Sequence, residues 1–277
     1  MTSSVHDAAE ALGARLRELR HGAGLTGRRL AELAGWHESK VSKIEHGTTK
    51  PSDTDIRAYC AHTGANDQLP DLLATRHNID AAYLEWRRVL DTGTKRRQQK
   101  AVKLEAEAKD IRAYNPQIIP GLLQTAEYAE AKLRSVIEFH RIPDDLSDGV
   151  AKRMERQRIL YNRDHRFHFL IAEQALYTTV GGNDVMARQL ERLTSIMTTP
   201  RVTLGIIPAK AEAVVVSTNF VMLDNRLVLV EGTAAELTIT QPREIAVYGR
   251  AFDTLARQSA TGNAARALIS TALQTRC

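Results

Sequence analysis

The stretch that most constrains this chain is residues 26–52, TGRRLAELAGWHESKVSKIEHGTTKPS. Two helices meeting in a tight corner need a small residue where they approach, a glycine able to take positive φ in the turn, and apolar side chains on the buried face of the second helix. Ala31, Gly35, Trp36, Val41 and Ile44 meet these requirements in order. Five positions agreeing on one geometry point to a helix-turn-helix far more specifically than any single glycine does.

The surrounding pattern supplies the rest of a small helical domain. Leu12, Leu16 and Leu19 recur at helical spacing, and Gly22 and Gly24 end that helix. Thr26 is placed to cap a second helix that Gly35 closes. A third helix is expected from about His37 to His46, with Gly47 ending it. Ser52 caps a fourth bearing Ile56, Tyr59 and Cys60, and Leu69, Leu72 and Leu73 mark a fifth behind a turn at Gly64.

These signals predict a mainly α domain over 1–78, a charged helical linker over 79–114 broken near Asp91, Thr92 and Gly93, and an α+β domain over 115–277. In the linker, TKRRQQKAVKLEAEAK has the composition of a basic DNA-contacting arm, but runs of this kind are usually solvated helix faces. Beyond Pro116, FHFLIA, VTLGII, VVVSTNFVML, LVLVEG and ELTITQ read as strands. The last four follow one another too closely for helical crossovers, which predicts a small, mainly antiparallel sheet. Helices are expected after Thr125, from about Ser147 to Tyr161, after an N-cap at Asn183, and twice at the C-terminus.

The 277 residues suffice for two domains, and a formal net charge of +5 permits an anionic partner without requiring one. No apolar run approaches the roughly 18 to 20 residues that span a bilayer. The N-terminus lacks a basic flank ahead of an apolar core, so it does not read as a signal peptide. Cys60 and Cys277 are far apart, with no CxxC pair. A soluble, cytoplasmic chain with two thiols is the expectation, associated with the nucleoid when bound to DNA.

With Val41 and Ile44 turned inward, Glu38, Ser39, Ser42 and Lys43 fall on or near the outer face of the third helix. The N-terminal part of such a helix enters the major groove. Lys43 would donate to guanine O6 and N7, Ser39 would serve either kind of base edge by donating to an acceptor or accepting from a donor, and Glu38 would accept from cytosine N4. Lys40, Arg28, Arg29, Thr49 and Lys50 are expected to reach phosphates.

The segment LGARLRELRHGAGLTGRRLAELAGWHESKVSKIEHGTTKPS resembles the lambda-repressor-like, xenobiotic-response-element class of bacterial helix-turn-helix regulators, including their Ile-Glu-x-Gly-x-x-x-Pro run. Gly27 stands where that class usually has a glutamine, and Trp36 where it has a smaller valine. The resemblance implies a structural pair between Arg20 and Glu45, so Glu45 is not counted as a base reader. It also implies a two-fold dimer with half-sites one helical turn apart.

A second stretch, YNPQIIPGLLQTAEYAEAKLR, together with RMERQRIL, VGGNDVMARQLERL and LVLVEG, resembles actinobacterial regulators of the WhiJ-like kind. Those carry a C-terminal regulatory domain and stand beside small partners of the BldB-like kind. Where they usually have a glycine- and histidine-containing loop, this chain reads AKAEAVVVSTNF. Any contact assigned to that loop does not carry over.

No catalytic set, metal site or cofactor motif emerges. His165 and His168 are three apart, but on a strand they point to opposite faces. VGGND lacks the Lys-Ser/Thr of a nucleotide loop and reads as a turn. Glu173 and Glu231 are expected at solvated strand ends, and Tyr114, Tyr128 and Tyr177 in a core or interface. The leading expectation is a sequence-specific DNA-binding transcriptional repressor whose C-terminal domain receives a signal from a small protein partner. A second reading is an antitoxin-like scaffold that sequesters such a partner and binds DNA as autoregulation.

Overall fold

The computed structural model describes residues 3–78, 83–85, 90, 93–213, 218–233 and 235–276. Asp91, Thr92, the VVVS start of the third expected strand segment and Cys277 lie outside the described residues. The chain forms two compact units, one of residues 1–83 with 238–245, the other of residues 84–237 with 246–277. No helix among the described residues is long and apolar enough to cross a membrane.

The first unit holds α1 (Ser3–Gly22), α2 (Gly27–Ala34), α3 (Glu38–Glu45), α4 (Asp53–Thr63) and α5 (Leu69–Asn78). Local chemistry sets most of the boundaries. Thr26 Oγ1 accepts from the Arg29 amide, and Gly35 ends α2 in the left-handed region at φ 67°. Ser52 and Asp55 form a reciprocal capping box at α4, satisfying two amides that the helix itself leaves without partners. Leu12, Leu16, Leu30, Val41, Ile44, Ile56, Tyr59 and Leu72 close into one core, with Cys60 buried among them. Each buried aliphatic side chain there contributes roughly 1.5–3 kcal/mol relative to exposure.

One close approach is not apparent from periodicity. A Cβ on Gly13 would sit 2.5 Å from the Ile44 carbonyl oxygen and 2.7 Å from that of Glu45. Glycine in mid-helix costs up to about 1 kcal/mol relative to alanine, and here it lets α1 lie directly on the C-terminal end of α3.

The second unit is α+β. Its helices are α6 (Lys95–Glu107), α7 (Ala126–His140), α8 (Leu146–Arg156), α9 (Gln174–Tyr177), α10 (Asn183–Ile196), α11 (Pro242–Gln258) and α12 (Gly262–Gln274), of which α11 begins in the first unit. Strands β1 (Tyr83–Glu85), β2 (Asp110–Asn115), β3 (Arg166–Ala172), β4 (Val202–Ile207), β5 (Phe220–Leu223), β6 (Leu227–Glu231) and β7 (Ala235–Ile239) form a sheet in the order β1-β7-β6-β5-β2-β3-β4, Tyr83 of β1 and the last two residues of β7 counting with the first unit.

This sheet has the expected antiparallel pairs and a parallel part beside them, so it is mixed. β2 pairs in parallel with β3 and β3 with β4, whereas β5 runs antiparallel to β2 and to β6. The reason is connectivity. α7 and α8 carry the chain from β2 to β3, and α9 and α10 carry it from β3 to β4, the long crossovers that parallel neighbours require. β4 and β5 follow one another in sequence yet are not neighbours.

All of β2 but its last residue lies within the stretch read as linker. Its sequence, DIRAYN, mixes charge with apolar residues directly after a charged run, which hides the strand period. The run itself is helical, as α6, but is not a purely solvated face, since Gln98 and Glu105 are buried. Asn183 is the first residue of α10 and Gly182 its cap.

Phe167, Phe169 and Ile171 of β3 pack with Leu204 and Ile206 of β4, Met186, Leu190 and Leu193 of α10, and Ile269 of α12. Phe252 of α11 packs edge-on against Phe220 of β5 and His168 of β3. Burial on both faces explains why β3 and β4 read as nearly continuous apolar runs.

Gly13→Ala should destabilise the first unit by about 1–3 kcal/mol, because the new methyl meets backbone that cannot rotate away. Gly22→Ala, with nothing within 4 Å of its added carbon, should change stability by no more than about 1 kcal/mol. Urea unfolding of both variants checks the contrast.

Candidate nucleic-acid interface

The orientation of α3 follows from what its inner face holds. Val41 and Ile44 are fully buried. Beside them, Arg20 Nε and Nη2 donate to the two Glu45 carboxylate oxygens at 2.6 and 2.7 Å. The Tyr59 hydroxyl donates to Glu45 Oε1 at 3.2 Å, and Arg20 Nη1 donates to the Leu25 carbonyl at 2.7 Å. Hydrogen bonding to Glu45 raises the Arg20 pKa against the opposing effect of burial. Burial, followed by the Glu45 charge, pushes that of the Tyr59 hydroxyl well above its ordinary value. Arg20 from α1, Glu45 from α3 and Tyr59 from α4 thus form one buried polar node.

The other face of α3 presents Glu38, Ser39, Ser42 and Lys43, all exposed. At helical spacing these four form one continuous strip. His37 caps the helix. Its Nδ1 accepts from the Ser39 amide at 3.2 Å and lies 2.8 Å from Ser39 Oγ, so the Ser39 hydroxyl has a local partner in the absence of any ligand. At the other end His46 Nδ1 lies 2.8 Å from the Ser42 carbonyl oxygen and 3.5 Å from its hydroxyl. Helical period alone places both histidines inside the helix and so hides their capping role.

The residues expected at phosphates divide into two groups. Arg28 and Arg29 project from the first turn of α2 and share Glu32 at 3.3 and 3.1 Å. These are exposed pairs of low strength, which an anion can displace. Thr49 and Lys50 are exposed in the loop after Gly47, and the Thr49 amide donates to the Lys43 carbonyl at 3.1 Å, tying that loop to the end of α3.

Lys40 is different. Its Nζ donates to Asp55 Oδ1 at 2.6 Å and lies 4.4 Å from the centroid of the Trp36 ring. The ammonium therefore braces α3 against α4, a contact that sequence spacing does not reveal. Burial pushes the Asp55 carboxyl up, but the Lys40 hydrogen bond and those from Ser52 outweigh it and hold the group below its ordinary value.

Trp36 is accommodated beside Tyr59, with ring centroids 5.9 Å apart. At Gly27 a Cβ would make only an ordinary 3.8 Å contact with Val41 Cγ1. No steric conflict accounts for the glycine there.

Elsewhere, His165 Nδ1 lies 2.6 Å from the Ala108 carbonyl and His168 packs on Phe252. Among the described residues no group of three or more His, Cys, Asp or Glu side chains is placed to hold a metal ion. Glu173 accepts from the Ala209 amide at 2.7 Å, and Glu231 is bound by Arg97 and Asn219 rather than simply solvated.

A family model described as a helix-turn-helix domain matches residues 11–73. Another, described as Domain of unknown function (DUF5753), matches residues 98–271. No curated protein matches the chain.

Because the folded-state pKa of Asp55 is depressed, its contribution to stability is complete above the unfolded value of about 3.9 and disappears as pH falls through the folded value. The stability difference between the native chain and Asp55→Asn should accordingly be greatest near neutrality and shrink on acidification below about pH 4. Urea midpoints measured across pH give the profile, and a difference that stays constant with pH would contradict the Lys40–Asp55 assignment.

Proposed function

The chain belongs to the family of Domain of unknown function (DUF5753), with a helix-turn-helix domain ahead of that match, and from that premise we propose that it is a sequence-specific transcriptional repressor. It acts in the cytoplasm, at the nucleoid, as a two-fold dimer. α3 lies in the major groove with Glu38, Ser39, Ser42 and Lys43 toward base edges, while Arg28, Arg29, Thr49 and Lys50 hold phosphates. The observation carrying this reading is the buried Arg20–Glu45–Tyr59 node, which leaves those four α3 residues as the outward strip. Lys40, engaged with Asp55 and Trp36, serves mainly to position α3.

The second unit receives the signal. Its resemblance to regulators accompanied by small BldB-like proteins supports a small protein as the source, and catalysis forms no part of the proposal. Affinity purification of the native protein should recover such a partner along with operator DNA. Recovery of operator DNA without any protein would remove the partner from the proposal and leave DNA recognition standing.

Lys43→Ala should cost about 1–3 kcal/mol on the preferred operator and relax discrimination at one base pair. Lys50→Ala should weaken all duplexes similarly and reduce the salt slope by about one unit. Fluorescence anisotropy with the chain's own promoter, single-base variants and a random duplex separates the two. Equal affinity of the native protein for promoter and random duplex at physiological salt would overturn the proposal.

A further inference from the structure

The second unit contains a cavity of about 710 Å³, within the range of small-molecule sites. Its wall is built from motifs that DNA recognition does not use. Residues 115–122, the NPQIIPGL run, line it without interruption, and Arg97 and Gln98 of α6 and Arg153 and Arg156 of α8 complete its polar part.

The three carboxylates in the lining already have cationic partners. Arg156 Nε donates to Glu105 at 2.6 Å. Glu231 is held by Arg97 and by Asn219 Nδ2 at 3.0 Å. Glu236 lies 3.4 Å from both Lys100 Nζ and Arg97 Nη2.

Two lining cations remain. Arg153 is only 7% exposed, and its side chain donates to neutral acceptors, Gln124 Oε1 at 2.7 Å and Gln98 Oε1 at 3.5 Å. Lys132 is half-buried, and among the described residues neither cation has a carboxylate within 4.0 Å. Burial, with Arg156 and Arg97 nearby, lowers the Arg153 pKa to about 9. Burial also lowers that of Lys132, Glu231 opposes the change, and Arg153 adds to it. A buried guanidinium and a second cation lining the same roomy cavity are an arrangement that a bound anion would stabilise.

The remainder of the wall is largely apolar, including Ile111, Leu133, Phe169, Val221 and Leu223. A hydrated inorganic ion would leave that surface unused. We propose that this cavity binds a small amphipathic anion, an organic carboxylate or phosphate monoester, with its headgroup held by Arg153 and Lys132 and its hydrocarbon body against the apolar wall.

The proposal goes beyond the regulator reading and is tested without DNA. Isothermal titration of the full chain with laurate, dodecyl phosphate, dodecanol and dodecyltrimethylammonium, each below its micellar concentration or solubility limit, separates charge from hydrocarbon. At least one anion should bind about tenfold or more tightly than dodecanol, as expected for a hydrogen bond to a charged group in a buried site. Whichever anion binds more tightly identifies the headgroup chemistry.

Arg153→Met should bring anion affinity down to that of dodecanol while leaving dodecanol binding unchanged, and Arg153→Lys should retain part of the preference. If Arg153→Met does not fold, Lys132→Met at the more exposed position provides the same comparison, and the native chain's preference decides by itself. Dodecanol or the ammonium binding as tightly as the anions, equal loss of anion and alcohol in a folded variant, or no binding of any probe would overturn the proposal.

Discussion

The Arg20–Glu45 contact is the constraint on which the recognition surface depends. Burying both charges is costly, and their attraction alone does not guarantee net stability. What the pair supplies is register. A planar guanidinium meeting both oxygens of one carboxylate is satisfied over a narrow range of positions, and Tyr59 and the Leu25 carbonyl take up further hydrogen-bonding capacity at the same point. Apolar contacts from Val41 and Ile44 would by themselves tolerate some rotation of α3; the bidentate pair does not. Gly13 makes the pair possible by letting α1 approach the end of α3 without a side chain between them.

Electrostatics has a different outcome in the second unit. There the carboxylates of the cavity wall are matched by Arg97, Lys100 and Arg156, while Arg153 is held by amide oxygens and Lys132 by no carboxylate. In the first unit charges close the core; here cations line a space. The elements forming that space come from α6, the segment after β2, α7, α8 and the β5–β6 hairpin. Widely separated stretches of the chain are therefore needed before the charge arrangement exists at all.

What could be read in advance reflects the range of the forces involved. The caps at Thr26 and Ser52 and the left-handed Gly35 are interactions over three or four residues, and the sequence displays them directly. The inward pair Val41 and Ile44 follows from helical period. The Lys40–Asp55 contact does not, because it joins two helices whose relative placement sequence spacing does not specify. Ser39 is a related case, since helical period directs its hydroxyl outward to a base, yet the group lies beside the cap at His37. In the sheet, strand-forming segments are recognisable from β-branched composition, whereas β2 is obscured by its charges and the strand order by its helical crossovers.

The sequence by itself determined the helix-turn-helix, most of its caps, the buried and outward faces of α3, and the α+β character of the chain beyond Pro116, because each depends on local period, backbone freedom or burial tendency. Only the tertiary structure decided that Lys40 is a brace, that β2 joins the parallel strands β3 and β4 to the antiparallel strand β5, and that Arg153 and Lys132 face a common cavity. Those outcomes depend on which distant side chains share a buried volume. Burial and charge pairing operate through space, and the order of residues along the chain does not reveal their partners.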